Sequence, residues 1–191
     1  MKLVIGLGNP GRRYQQTRHN VGFVVAAEVA KIAGGDSPKV RFSGEFAEGS
    51  IAGTRVGVLC PTTYMNASGQ SVRKAVDFYK LDPADILVVC DDLNLPLGRL
   101  RIRPSGSAGG QKGLADIIRH LGTEAVPRLR VGIDPAPPGW AVPDYVLSKF
   151  KPGEQNTIDD AIGRAAIAAA DWAEHGVDYC MNRYNGSPTT Q

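Results

Sequence analysis

The sequence predicts an α/β fold: a single domain with a central mixed, mostly parallel sheet flanked by helices. Three observations carry this. Short apolar runs rich in β-branched residues alternate along the chain with helix-length segments, the pattern of a sheet covered on its faces. Most of these runs are separated by a loop and a helix, the connection that parallel strands require. The length of 191 residues, with 42% of them hydrophobic, suits one full core and would cramp two.

The elements follow in order. Residues 2–7 are apolar and close on glycine, so they read as a buried strand, and residues 21–33 read as a helix ended by Gly34-Gly35. Residues 39–51 alternate loosely and residues 54–59 are strand-like, with Ala52-Gly53 as the hairpin turn between them. A polar loop at 61–69 precedes a helix at 70–79, then a continuous apolar strand at 86–89 and another strand at 100–103. A glycine-rich stretch leads into a helix at 112–121, and 129–133 is one more strand. Four prolines make 134–143 an extended loop, after which 154–175 is a long alanine-rich helix with Ile158, Ile162 and Ala165 on one face. The domain is expected to span 1–184, with 185–191 a flexible tail.

Composition removes several classes of function. No apolar run approaches the roughly 20 residues of a membrane span, and the N-terminal apolar stretch is too short for a signal peptide, so a soluble, cytoplasmic protein with no membrane partner is expected. Cys60, Cys90 and Cys180 are odd in number and widely spaced, which fits neither a disulfide framework nor a metal knuckle; they read as buried thiols. The net charge of +3 is too mild to argue for a nucleic-acid partner by itself, so only the placement of basic residues can.

Gly6-Leu7-Gly8-Asn9-Pro10-Gly11 follows a strand and matches a dinucleotide-binding fingerprint. The match is a decoy. The residues after Gly11 have no apolar helical face, Pro10 removes a backbone N–H from the phosphate cradle, and no acidic residue ends a second strand. No cofactor is expected. The second glycine-rich stretch, residues 105–113, opens a helix whose free N–H groups suit an anion or a carbonyl oxygen; alternatively it is a flexible connection.

Several polar side chains lack a structural reason. Asn9, Tyr14, Arg18, His19 and Asn20 fall between the first strand and the first helix, at a strand end where open α/β sheets place their sites, although Asn20 could also cap the helix. Asp91-Asp92 ends another apolar strand. Two acids there could be solvated turn residues or part of a cation site, yet no further ligands accompany them and no metal is expected. A His19–Asp91 pair would activate water or a Ser/Cys nucleophile, and with no GxSxG elbow, water is the better choice. Tyr64 and Asn66 flank an exposed Met65; Asn66 is either a cap or an amide aimed at a carbonyl whose charge develops during acyl transfer. Arg99, Arg101 and Arg103 share one face of a strand, and Arg128 and Arg130 repeat the pattern, giving either a solvated sheet face or a phosphate-binding one.

The blocks GLGNPG, YQQTRHNVGF, PTTYMNASG, CDDLNLPLGRLRIR, GSAGGQKGLADII and RLRVGI, in this order, resemble bacterial-type peptidyl-tRNA hydrolases over nearly the whole chain. The resemblance implies a metal-free esterase, expected as a monomer, that cuts the ester between an N-blocked peptide and the 3′-terminal ribose of tRNA. It implies that His19 is the general base, that Asp91 supports it, and that Asn9 recognises the first peptide bond. Tyr14, Tyr64 and Asn66 resemble residues lining the 3′-end and the peptide, with Met65 and Asn20 beside them, and Arg101, Arg103 and Arg130 resemble phosphate-binding residues. Two departures stand out. The family's usual GGHNG reads Gly109-Gly110-Gln111-Lys112-Gly113, which puts Lys112 where an amide touches substrate, and HDELD has become Cys90-Asp91-Asp92-Leu93-Asn94. Some plant-organelle relatives of similar fold serve in RNA splicing instead; the presence of His19, Asp91, Asn9 and Asn66 favours chemistry.

Overall fold

The computed structural model describes residues 1–186. Seven strands form one sheet: β1 (Lys2–Gly6), β2 (Lys39–Arg41), β3 (Gly44–Ile51), β4 (Thr54–Pro61), β5 (Ile86–Asp92), β6 (Leu100–Arg103) and β7 (Arg128–Gly132). Their order across the sheet is β2-β3-β4-β1-β5-β7-β6. The mixed sheet flanked by helices agrees with expectation, while its parallel share is smaller than expected. Only the central strands β4, β1, β5 and β7 pair in parallel. The β2-β3-β4 meander and the β6–β7 edge are antiparallel; in the meander, tight turns replace the helical crossovers that parallel strands need.

Helices α1 (Val21–Ile32), α2 (Ser68–Tyr79), α3 (Lys112–Leu121), α4 (Val142–Val146), α5 (Gln155–His175) and α6 (Val177–Tyr184) complete the fold. The pleat sends alternate side chains of β1 and β5 to opposite faces. Val4, Leu87 and Val89 pack with α1 and α5, including Val25, Val29, Ala165 and Trp172. Leu3, Ile5, Ile86 and Val88 pack on the other face with Val72 and Ala75 of α2 and Leu114 and Ile117 of α3. Small residues bring α1 close to the sheet. A Cβ at Gly22 would stand 2.5 Å from the Val89 carbonyl oxygen and 2.6 Å from the Leu7 nitrogen. The start of α1, and the loop holding His19, are thereby pressed onto the ends of β1 and β5.

Three local features differ from the sequence reading. The turn between β2 and β3 is Phe42-Ser43, both in the left-handed region (φ 54° and 57°), a conformation that a bulky aromatic does not advertise. Short α4 lies where the proline-rich loop ends, and α6 follows α5 after Gly176. Asn185, expected in a flexible tail, accepts the Ile102 N–H at 2.6 Å and donates to the Ile102 carbonyl at 3.0 Å, so it pins the edge strand β6. The remainder of the expected tail, 187–191, lies outside the described residues. Among the described residues, no helix is long and apolar enough to cross a membrane.

Candidate active site

Strands β4, β1, β5 and β7 all end at one edge of the sheet. The chain leaving β1 turns to α1 on one face and the chain leaving β4 turns to α2 on the other. Divergence of this kind opens a crevice beyond the strand ends. The crevice is a cleft of about 590 Å³, bounded by Asn9, Tyr14 and His19 from the loop after β1, Tyr64, Met65 and Asn66 from the loop after β4, and Asp91 and Asp92 from β5. Lys112 and Arg130 complete its polar side, and Val142, Pro143, Val146 and Leu147 of the α4 region with Leu93 make an apolar wall.

At its centre His19 Nδ1 lies 2.8 Å from Asp91 Oδ2. The carboxylate is an acceptor only, so the imidazole donates from Nδ1, and Nε2 of a neutral ring carries the lone pair. The His19 side chain retains 13% exposure and that of Asp91 4%: the pair is sheltered, while the ring still reaches the cleft. Asp91 Oδ1 accepts from Gln111 Nε2 at 3.2 Å, and Gln111 Oε1 caps α3 by accepting the Leu114 N–H at 2.8 Å.

Asn9 is held by its partners in one orientation. Its Oδ1 accepts the Met65 N–H at 2.8 Å, which leaves Nδ2 as a donor at the cleft. Its backbone is clamped by Asn20, whose Oδ1 accepts the Asn9 N–H and whose Nδ2 donates to the Asn9 carbonyl, both at 2.9 Å. Asn20 therefore does not cap α1 with its side chain; it fixes the loop bearing Asn9. Asn66 is exposed at the cleft and makes no side-chain cap to α2. Met65, expected to be exposed, is buried at 4% and floors the cleft, because the chain turns inward at Tyr64, which has φ 61°. Tyr64 is half exposed at the mouth, and Tyr14 stacks under the Arg13 guanidinium at 4.5 Å from its ring centre.

The arginines divide. Arg101 and Arg103 are exposed on β6, beside the cleft rather than in it. Arg130 lines the cleft, pairing with Asp92 at 3.0 Å and donating to the Ser107 carbonyl at 3.0 Å. Arg128, read with the others as part of one basic face, is buried at 1% and donates to the backbone carbonyls of Val126, Ser107 and Glu124. It holds the glycine-rich loop in place. Burial pushes the Cys90 thiol up to about 12, with the Asp91 charge adding to it, so it stays protonated and unreactive near neutrality.

The loop bearing His19 is anchored from behind. Arg18 is buried at 1%, pairs with Glu154 at 2.7 Å and stacks on Tyr145 and Phe150. The Arg18 N–H also donates to the Ser148 carbonyl at 2.9 Å. Gln111 and the α4 wall were not found as site residues from the sequence, and Asp92 was noted only beside Asp91 at the strand end. In the sequence the departure from GGHNG drew attention to Lys112 and not to Gln111, and the wall begins in a segment whose prolines suggested an extended loop. Among the described residues, no three His, Cys, Asp or Glu side chains come together in a set that could hold a metal ion.

A parallel-sheet edge with a histidine–carboxylate pair, an oriented amide and an apolar wall is an arrangement chemically suited to acid–base work on a bound substrate. The comparisons with known proteins narrow it. The profile of the family described as peptidyl-tRNA hydrolase matches residues 3–191. A peptidyl-tRNA hydrolase of Rhodopirellula baltica is 58% identical over 190 residues, covering 100% of both chains, and one of Bacillus cytotoxicus is 45% identical, covering 97% of this chain and 100% of its own. The crystal structure of peptidyl-tRNA hydrolase from Acinetobacter baumannii superposes with a TM-score of 0.91 at 38% identity, covering 97% of this chain and 95% of the other. The chain belongs to the peptidyl-tRNA hydrolase family, and sequence and fold together support that enzyme activity, with a tRNA substrate.

Proposed function

We propose that the chain hydrolyses the ester joining an N-blocked peptidyl or aminoacyl group to the 3′-terminal ribose of tRNA, using water activated by His19 and no metal, as a cytoplasmic monomer. The observation that carries this reading is the 2.8 Å contact from His19 Nδ1 to Asp91 Oδ2. It commits Nδ1 to donation and leaves Nε2 to accept a proton from water in the cleft. The water oxygen then forms a bond to the ester carbonyl carbon, and the carbonyl oxygen takes up negative charge. The exposed Asn66 amide is suited to donate to that oxygen. The tetrahedral adduct collapses by breaking the bond to the ribose 3′ oxygen, which receives the proton held on Nε2. Asp91 compensates the imidazolium charge between these two transfers.

Specificity for a blocked α-amine follows from Asn9. With its Oδ1 taken by Met65, its Nδ2 can donate to the carbonyl of the first peptide bond, a group that free aminoacyl-tRNA lacks. Tyr14 and Tyr64 flank the 3′-end and the peptide over the Met65 floor, and Lys112 holds the acylated end as a donor at the start of α3. Arg101 and Arg103 on β6, with Arg130 beside them on β7, take phosphates. The test is release of N-acetylated amino acid from acylated tRNA by the purified protein in EDTA. Turnover of the blocked substrate together with poor turnover of unblocked aminoacyl-tRNA is expected. Activity lost in EDTA and restored by one specific metal would defeat the metal-free reading.

A further inference from the structure

Gln111 lies buried at the floor of the cleft, and both ends of its amide are assigned by their partners. Its Oε1 faces the Leu114 N–H at 2.8 Å; a backbone N–H only donates, so the other end is the NH₂. That NH₂ meets Asp91 Oδ1 at 3.2 Å and Met65 Sδ at 3.2 Å. Asp91 thus accepts at both oxygens, from His19 at Oδ2 and from Gln111 at Oδ1.

We infer that Gln111 is a positioning residue of the hydrolytic reaction, tying the carboxylate of Asp91 to the rigid first turn of α3 so that Oδ2 stays aimed at the His19 ring. The inference rests on the proposed role of His19. Its physical basis is that Asp91 is 4% exposed, so water is poorly placed to replace a missing donor at Oδ1. Without Gln111, rotation of the carboxylate group toward any other donor would pull Oδ2 from His19 Nδ1. The surroundings leave Gln111 little choice of rotamer: even a Cβ on Gly113 would stand 2.5 Å from Met65 Sδ and 3.2 Å from Gln111 Oε1. A side chain that caps a helix with one atom and orients a carboxylate with the other connects the reacting pair to a secondary-structure element instead of a loop.

Gln111→Glu separates orientation from capping. A glutamate oxygen still accepts the Leu114 N–H, while the atom facing Asp91 changes from donor to acceptor and sets two carboxylates against each other. The variant is expected to lose about 10–100-fold in kcat on an N-acetyl-aminoacyl-tRNA with KM within about two-fold of wild type. In proton NMR, the hydrogen-bonded His19 Nδ1–H resonance should broaden or disappear. Should circular dichroism show the glutamate variant unfolded, Gln111→Met, which keeps the length and removes the donor, is put through the same two measurements with the same expectation. A kcat within about three-fold of wild type and an unchanged Nδ1–H resonance would overturn the inference, since a role confined to capping predicts that result for Gln111→Glu. The resonance reports the His19–Asp91 geometry whatever the chemical role of His19. Full turnover in His19→Ala would instead defeat the general-base reading, and the two failures are distinguishable.

Discussion

Replacing Asp91 by asparagine removes the charge opposite His19 and leaves the shape of the site intact. Asp91 accepts one hydrogen bond at each oxygen, from His19 at 2.8 Å and from Gln111 at 3.2 Å. An asparagine has one accepting end. If its oxygen faces His19, its NH₂ is set against the NH₂ of Gln111; if it flips, its NH₂ faces His19 Nδ1 and forces the ring proton onto Nε2, the atom that must accept from water. Charge adds to geometry. With charge centres about 4 Å apart and an effective dielectric of about 20, the lost attraction to the imidazolium is about 4 kcal/mol, close to 10³-fold in rate. The open side of the cleft screens part of this, so the expected fall in kcat is about 10²–10³-fold, with little change in KM. Steady-state release of N-acetyl amino acid from one acylated tRNA measures it. A variant within a few-fold of wild-type turnover would refute Asp91 as the partner of the active imidazole.

Three further predictions follow from other parts of the molecule. Burial pushes the Glu154 carboxyl up, but the Lys151 N–H, the Arg18 hydrogen bond and the Arg18 charge outweigh it and hold it below the usual carboxylate range. Its stabilising contribution is therefore present above about pH 5 and is lost as pH falls below the usual value of about 4.3 and through the depressed one. Glu154→Gln should cost about 2–4 kcal/mol at pH 7 by leaving the Arg18 charge uncompensated, and the Tm difference from wild type should shrink toward pH 3; a difference independent of pH would contradict the pairing. Lys112→Ala should raise KM several-fold with a smaller effect on kcat, and an unchanged KM would mark Lys112 as a solvated surface lysine. Replacing Arg101 and Arg103 by alanine should flatten the salt dependence of tRNA affinity by about two phosphate contacts, and an unaltered slope would remove β6 from the interface.

Much of the fold was legible because the local signals were unambiguous. The apolar run of β5 and the periodic pattern of α3 identify their elements without tertiary help, and a glycine-rich stretch announces the start of α3. The Phe42-Ser43 turn was not legible, since its left-handed backbone is imposed by strand pairing on residues that do not favour it. The site shows the same division. His19 and Asp91 stand out as polar residues at the ends of apolar strands. Met65, Gln111 and Arg128 do not, because what each does is decided by burial: Met65 turns inward at Tyr64, Gln111 spans from α3 to Asp91, and Arg128 spends its donors on backbone carbonyls. Arginines alternating along a strand specify a shared face, but not whether that face meets solvent or a loop.

The central claim is that His19 activates water for ester cleavage while tRNA is held by other groups. His19→Ala, assayed for turnover of an N-acetyl-aminoacyl-tRNA and, separately, for tRNA affinity, tests it most directly. Turnover should fall by about 10²–10⁴-fold, the range that a positioned general base contributes, with affinity nearly unchanged. Turnover within a few-fold of wild type would contradict the account, whatever happened to binding.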